Sequence, residues 1–221
     1  EMEDMPVKEV IYTPLGETVL DFGQNFAGYV TFRNHLLEGT RIVFDHGEIL
    51  QDGNFYNENY RSAKSQFVYV SDGRDELVRP SFTYFGFRYV RVTGWPGEAK
   101  EEDFPGKPLY PKMNRTGYIE TGHQGVNRLF LNALWGQKSN FIDFPTDCPQ
   151  RDERLGWTGD AQVFSGTASF NMDTTAFYHK FLHDLRNAQV KYDGILPGVI
   201  PVLDPNGPIF SSVWGAIATI L

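Results

Sequence analysis

The sequence predicts a multidomain β + α chain, an antiparallel β-sandwich followed by the opening helices of an all-helical domain. Three observations carry this. Short β-branched and aromatic runs fill residues 9–95, a Pro-rich charged stretch follows, and beyond residue 120 apolar residues recur at helical spacing. The boundaries fall at 1–110 for the sandwich, 111–120 for a linker and 121–221 for the helical part.

The strand candidates are "GYVTFRN" (28–34), "RIVFDHG" (41–47), "SQFVYVSDG" (65–73) and "FRYVRVTG" (87–94). Phe67 and Tyr69 alternate with Val68 and Val70, and Tyr89 and Arg91 alternate with Val90 and Val92, the period of a half-buried strand. Turn signals such as "SDGRDE" separate them, and no helix-length periodic segment lies in 9–95. Arg88 and Arg91 are expected on the solvent side of a core strand. Residues 96–117 hold four prolines and a charge run, which is linker chemistry. The sequon Asn114-Arg115-Thr116 is too short a motif to weigh.

In "TGHQGVNRLFLNALWGQKSN", Val126, Leu129, Phe130, Ala133 and Leu134 fall on one helical face, and a loop is expected at Asn140. A second helix is expected over 158–168. A third opens at Asp173 as N-cap, with Phe177, Phe181, Leu182, Leu185 and Ala188 on one face. Residues 193–208 read as a Pro/Gly loop, and a fourth helix opens near Ser212. Four helices are too few for a large helical barrel.

The composition suits a folded protein with 18 Phe, 11 Tyr and 4 Trp, side chains that stack on flat ligands and sugar rings. A formal charge of −8 argues against nucleic acid or an anionic membrane as partner. The single cysteine, Cys148, excludes an internal disulfide and a cysteine-based zinc site. No apolar run approaches the roughly 20 residues of a membrane span. The acidic start has no signal-peptide core, which leans toward the cytoplasm. The apolar end "SSVWGAIATIL" reads as a cut inside an element, so a fragment of a longer protein is expected.

Chemistry concentrates in "DFPTDCPQRDERLGWTGDA" (143–161), where Asp143, Asp147, Asp152, Glu153 and Asp160 surround two arginines and an indole. Pro145 and Pro149 enforce an extended first half. Glu153, Trp157 and Asp160 are spaced i, i+4, i+7, and with Gly156 and Gly159 weakening a helix, a loop-to-helix entry is expected. A solvated loop with paired charges is the plain alternative. The tryptophan, the preceding helix and the excess of acids favour a site. A carboxyl beside an indole is expected to hold its proton toward neutrality, as a general acid requires, and carboxylates, arginine and indole together suit a sugar. His179 and His183 at i, i+4 lack a third ligand nearby, and Cys148 lacks an activating neighbour.

"TDCPQRDERLGWTGDAQ" closely resembles the catalytic-site motif of the bacterial and fungal α-L-rhamnosidases, a family of inverting glycoside hydrolases. "DFGQNFAGYV" (21–30), "HGEIL" (46–50) and "RPSFTYFGFRYVRV" (79–92) are similar to the sandwich domain ahead of the catalytic domain in that family. Residues 121–221 resemble the start of its (α/α)6 barrel. The resemblance implies that Glu153 is the general acid and that Asp147, Arg151, Trp157 and Asp160 line the rhamnose subsite, with Trp214 as a further wall. The family's Trp-Gly pair is usually followed by Asp, where this chain has Ala216.

The family's general base is a Glu further along, beyond residue 221. Inversion needs an acid and a base about 6.5–9.5 Å apart on opposite faces of the sugar. The expectation is therefore hydrolysis of terminal α-L-rhamnosides by the parent enzyme, with little or no turnover by this fragment alone. The implied partner is a rhamnose-containing oligosaccharide or glycoside, and neither metal nor other cofactor is expected. Two further readings stay open, a carbohydrate-binding sandwich with a helical adaptor, and self-association through exposed helix faces.

Overall fold

The structure, a computed structural model, describes residues 3–203 and 208–221. The chain divides into two compact units. One takes the chain up to Tyr110 together with Pro149–Asp152, and the other takes Pro111–Cys148 and the chain from Glu153 onward.

Among the described residues the first unit has ten strands: β1 (Glu9–Tyr12), β2 (Thr18–Val30), β3 (Phe32–Asn34), β4 (Arg41–Gly47), β5 (Ile49–Gln51), β6 (Asn54–Tyr56), β7 (Gln66–Val70), β8 (Glu76–Val78), β9 (Phe85–Thr93) and β10 (Gly106–Pro108). The main antiparallel sheet runs β1-β2-β9-β4-β7, with β10 added to β2. β3 pairs with β8 and β5 with β6 as two small sheets. Phe32 of β3 meets Phe44 of β4 and Tyr69 of β7 at ring separations of 5.3 and 5.4 Å, which packs the β3–β8 ribbon on the main sheet. Phe22, Phe26 and Phe87 form a second aromatic cluster, with Phe26 and Phe87 at 4.6 Å.

Two expectations need correction here. The stretch 96–117 is not all linker, because Gly106–Pro108 runs antiparallel to Gly28–Val30 as an outer strand. An outer position tolerates Pro108, which has no N–H to give. Arg88 and Arg91 do not share a solvent side. Three residues apart on β9, they project to opposite faces. Each reaches a buried carboxylate, Arg88 gripping Asp21 through two 2.8 Å bonds and Arg91 bonding Glu17 at 2.8 Å and Asp45 at 3.0 Å. Burial would raise the Asp21 carboxyl, but the Arg88 bonds and the Gly23 N–H outweigh it and hold it below its usual value.

The second unit holds α1 (Gln124–Asn140), α2 (Thr158–Asn171), α3 (Thr175–Lys191) and two single turns, α4 (Ser212–Gly215) and α5 (Ile217–Ile220). The α3 stripe buries Phe177, Phe181 and Leu185 against Phe141, Ala161, Ala168 and Ile200, with Leu182 and Ala188 at its margin. Asp173 stands one place outside the cap residue Thr174 and still accepts the Thr175 N–H at 3.2 Å. Of the stripe read on α1, only Leu134 is fully buried, whereas Leu129 is 67% exposed.

Buried amides join α1 to α2. Gln137 donates to the Ala168 carbonyl at 3.2 Å and accepts from Asn171 at 3.0 Å. Of the loop read over 193–208, residues 204–207 lie outside the described residues. Among the described residues no helix is long and apolar enough to cross a membrane.

Candidate active site

The second half of the acidic motif is shaped by a short ladder. Residues 153–156 are non-helical, and Trp157 is extended as the N-cap residue of α2, with φ −67° and ψ 118°. Trp157 bridges Val199 in antiparallel fashion, the Thr158 N–H donates to the Gly198 carbonyl at 2.9 Å, and the Ile200 N–H donates to the Gly156 carbonyl at 2.9 Å. The buried Thr158 hydroxyl adds a bond to the same Gly198 carbonyl at 3.1 Å. Gly156 is required because a Cβ there would collide with the Ile200 carbonyl oxygen. Gly156, which weakens a helix on paper, is what lets this ladder close.

On this ladder Glu153 and Trp157 meet. The indole Nε1 donates to Glu153 Oε1 at 2.7 Å, although four residues of loop rather than one helical turn separate them. Both side chains are half-buried. Trp214, from the single turn α4, packs edge-on to Trp157 at 5.0 Å and 80°. Arg154, next to Glu153, has φ +48°, a left-handed conformation uncommon for a residue with a Cβ. Such outliers gather at functional sites.

Asp147 and Asp160 are brought to a different feature. Both line a cleft of about 390 Å³ between α1 and the start of α2, walled by Ala133, Gly136, Phe141 and Phe164. Glu153, Trp157 and Trp214 are not in its lining. Asp147 also closes its own loop. Its N–H donates to the Leu155 carbonyl and its Oδ1 accepts the Leu155 N–H, each at 3.0 Å. Asp160 is exposed in the first turn of α2, where the helix dipole favours a carboxylate.

Arg151 lies in Pro149–Asp152, which folds with the strand unit. That segment sits on β9 at Gly86, where a Cβ would come within 2.9 Å of Gln150. Asp152 Oδ2 accepts from the Ser62 hydroxyl and from the Ser62 N–H at 3.3 Å, and Arg61 is 3.7 Å away. The Ser62 hydroxyl, ahead of the Arg61 charge, holds the Asp152 carboxyl below its usual value. Sequence reading passed over Ser62, Gly86 and Gly198, and took Gly159 only as weakening a helix. A small residue gives no chemical signal, and only packing reveals its use. His179 and His183 stack edge-on at 4.9 Å, and no trio of potential metal ligands occurs among the described residues.

Comparison with known proteins follows the same division. Residues 11–110 match the family described as bacterial alpha-L-rhamnosidase concanavalin-like domain, and residues 114–221 match its six hairpin glycosidase domain. The chain belongs to the bacterial α-L-rhamnosidase family. A curated α-L-rhamnosidase of Streptomyces avermitilis is 41% identical over 203 residues, covering 91% of this chain and 20% of that protein. The crystal structure of native α-L-rhamnosidase from Aspergillus terreus superposes with a TM-score of 0.93 at 40% identity, covering 98% of this chain and 25% of that one. That of Streptomyces avermitilis α-L-rhamnosidase complexed with L-rhamnose gives 0.92 at 39% identity, covering 99% and 21%. The chain thus spans about a fifth to a quarter of the length of these relatives.

Proposed function

We propose that the parent protein hydrolyses terminal α-L-rhamnosides with inversion, with Glu153 as proton donor. One observation carries this, a carboxyl group held by an indole N–H in an aromatic corner, Glu153 on Trp157 and Trp157 against Trp214. A carboxyl held this way has a fixed direction, and indole faces suit the C–H side of a pyranose. The rhamnosidase names of the relatives support the substrate class, as does the L-rhamnose in the Streptomyces avermitilis complex.

In the proposed step the Glu153 proton moves to the glycosidic oxygen, which leaves with the electron pair of the broken C1–O bond. A second carboxylate takes a proton from water as that water attacks C1 from the opposite face. Asp147 and Asp160 hold sugar hydroxyls from the cleft they line, and Trp157 and Trp214 border the ring. The base belongs to the part of the parent that this chain does not span, so the 221-residue chain alone turns over little. Its uncovered apolar side chains, Leu129, Val163 and Val213 among them, favour self-association.

The test is hydrolysis of 4-nitrophenyl α-L-rhamnoside followed by proton NMR. The parent releases β-L-rhamnose first and the isolated chain releases almost none. Release of α-L-rhamnose first, or comparable rates from the two, contradicts the proposal.

A further inference from the structure

We infer that Gly159 is a positioning residue for the proton donor, acting through a relay of two tryptophans. This rests on the role of Glu153 proposed above. Trp214 lies directly over the first turn of α2. A Cβ on Gly159 would stand 2.5 Å from Trp214 Nε1, 2.6 Å from its Cδ1 and 2.7 Å from its Cε2. Real Cβ atoms do not come this close, and the obstacle is the rigid bicyclic body of the indole rather than a flexible chain end. Gly198 flanks the same ring from the ladder, its hypothetical Cβ 3.0 Å from Trp214 Cε3. Two glycine backbones thus form the seat of Trp214.

The seated ring packs edge-on to Trp157 at 5.0 Å, and Trp157 Nε1 bonds Glu153 at 2.7 Å. Trp157 is also held at its backbone, by the ladder to Val199. Its ring direction, and with it the direction of the Glu153 carboxyl, therefore depends on where Trp214 rests. Trp214 has two functions in this arrangement, a wall of the site and a brace for the donor. Gly159 is at position N2 of α2, where alanine would favour the helix, so a purely local view expects Gly159→Ala to be harmless or stabilising.

The experiment compares the parent enzyme with Gly159→Ala and Trp157→Phe on two substrates. A 2,4-dinitrophenyl rhamnoside leaves without much protonation, whereas a methyl or disaccharide rhamnoside needs the acid. For both variants kcat on the unactivated substrate falls about 10- to 100-fold, part of the 10²–10⁴ that general acid catalysis supplies. On the dinitrophenyl substrate the fall in kcat is at least about 10-fold smaller.

Trp157→Phe keeps a ring and removes only the N–H, so it decides the case if Gly159→Ala does not fold. Equal losses on both substrates, a rise in KM alone, or unchanged kinetics overturn the relay. A wild-type parent with no activity on any rhamnoside overturns the rhamnosidase proposal itself. Normal wild-type activity with unaltered leaving-group dependence in both variants removes only the inference about Gly159.

Discussion

Pro149–Asp152 and Glu153–Asp160 are consecutive in the chain, yet different forces hold them. The first segment folds with the strand unit through polar contacts, Asp152 with Ser62 and Arg61, over a bare patch of β9 at Gly86. The second folds with the helices through a backbone ladder and a pair of indoles, of which Trp214 is seated on glycine. Charge and solvent govern the first, and volume governs the second. A motif that reads as one acidic cluster therefore answers to two sets of perturbations.

The largest loss from a substitution is expected where volume governs. Gly156→Ala drives a methyl group into the Ile200 carbonyl and breaks the ladder at its centre. Denaturant melts of the chain should show a loss of about 1–3 kcal/mol, the scale of overpacking at a closed contact. A loss below about 0.5 kcal/mol would mean that the ladder does not hold the second half.

A pH effect comes next, in the unit that carries Pro149–Asp152. His46 is fully buried, stacked on Phe85 at 3.9 Å, with Nδ1 3.1 Å from the Ser65 carbonyl. Burial lowers its pKa from 6.5 to about 4, although the Ser65 carbonyl and Asp45 pull the other way. The unfolded chain therefore binds a proton near pH 6.5 that the folded chain refuses until about pH 4. Stability falls as pH drops through that window, by about 3 kcal/mol at 1.36 kcal/mol per unit. His46→Phe should flatten melting curves taken between pH 7 and 4, and an unchanged slope would refute the assignment.

The smallest effect belongs to the polar grip. Asp152→Ala should lower the melting temperature less than Gly156→Ala does, because the pair is exposed. Its carboxyl is held below the usual value of 3.8, so its contribution is present above that pH and disappears as acid protonates it. Wild type and variant should therefore melt alike at the acid end, and added salt should narrow the gap at pH 7. A gap that persists in acid would place the grip elsewhere.

The sequence made the strands of the main sheet and the α3 stripe legible, because Phe67/Tyr69 alternation and Phe177/Phe181/Leu185 spacing record a buried face directly. It hid β10, since a Pro-rich outer strand looks like a linker. It misplaced Arg88 and Arg91, whose charge suggested solvent while their partners, Asp21, Glu17 and Asp45, lie far off in sequence. At the site, the pairing of Glu153 with Trp157 was legible from spacing, though a turned loop rather than a helix produces it. The cleft holding Asp147 and Asp160 and the glycine seat of Trp214 left no trace, because both depend on packing between distant segments.

The central claim is that Glu153 delivers the proton to the departing sugar oxygen, and leaving-group dependence tests it most directly. In the parent enzyme, Glu153→Gln should lower kcat on a methyl or disaccharide rhamnoside by about 10²- to 10⁴-fold. It should leave the 2,4-dinitrophenyl rhamnoside within about 10-fold of wild type, because that leaving group departs without an acid. Losses of equal size on both substrates, or full activity on the methyl rhamnoside, would contradict it.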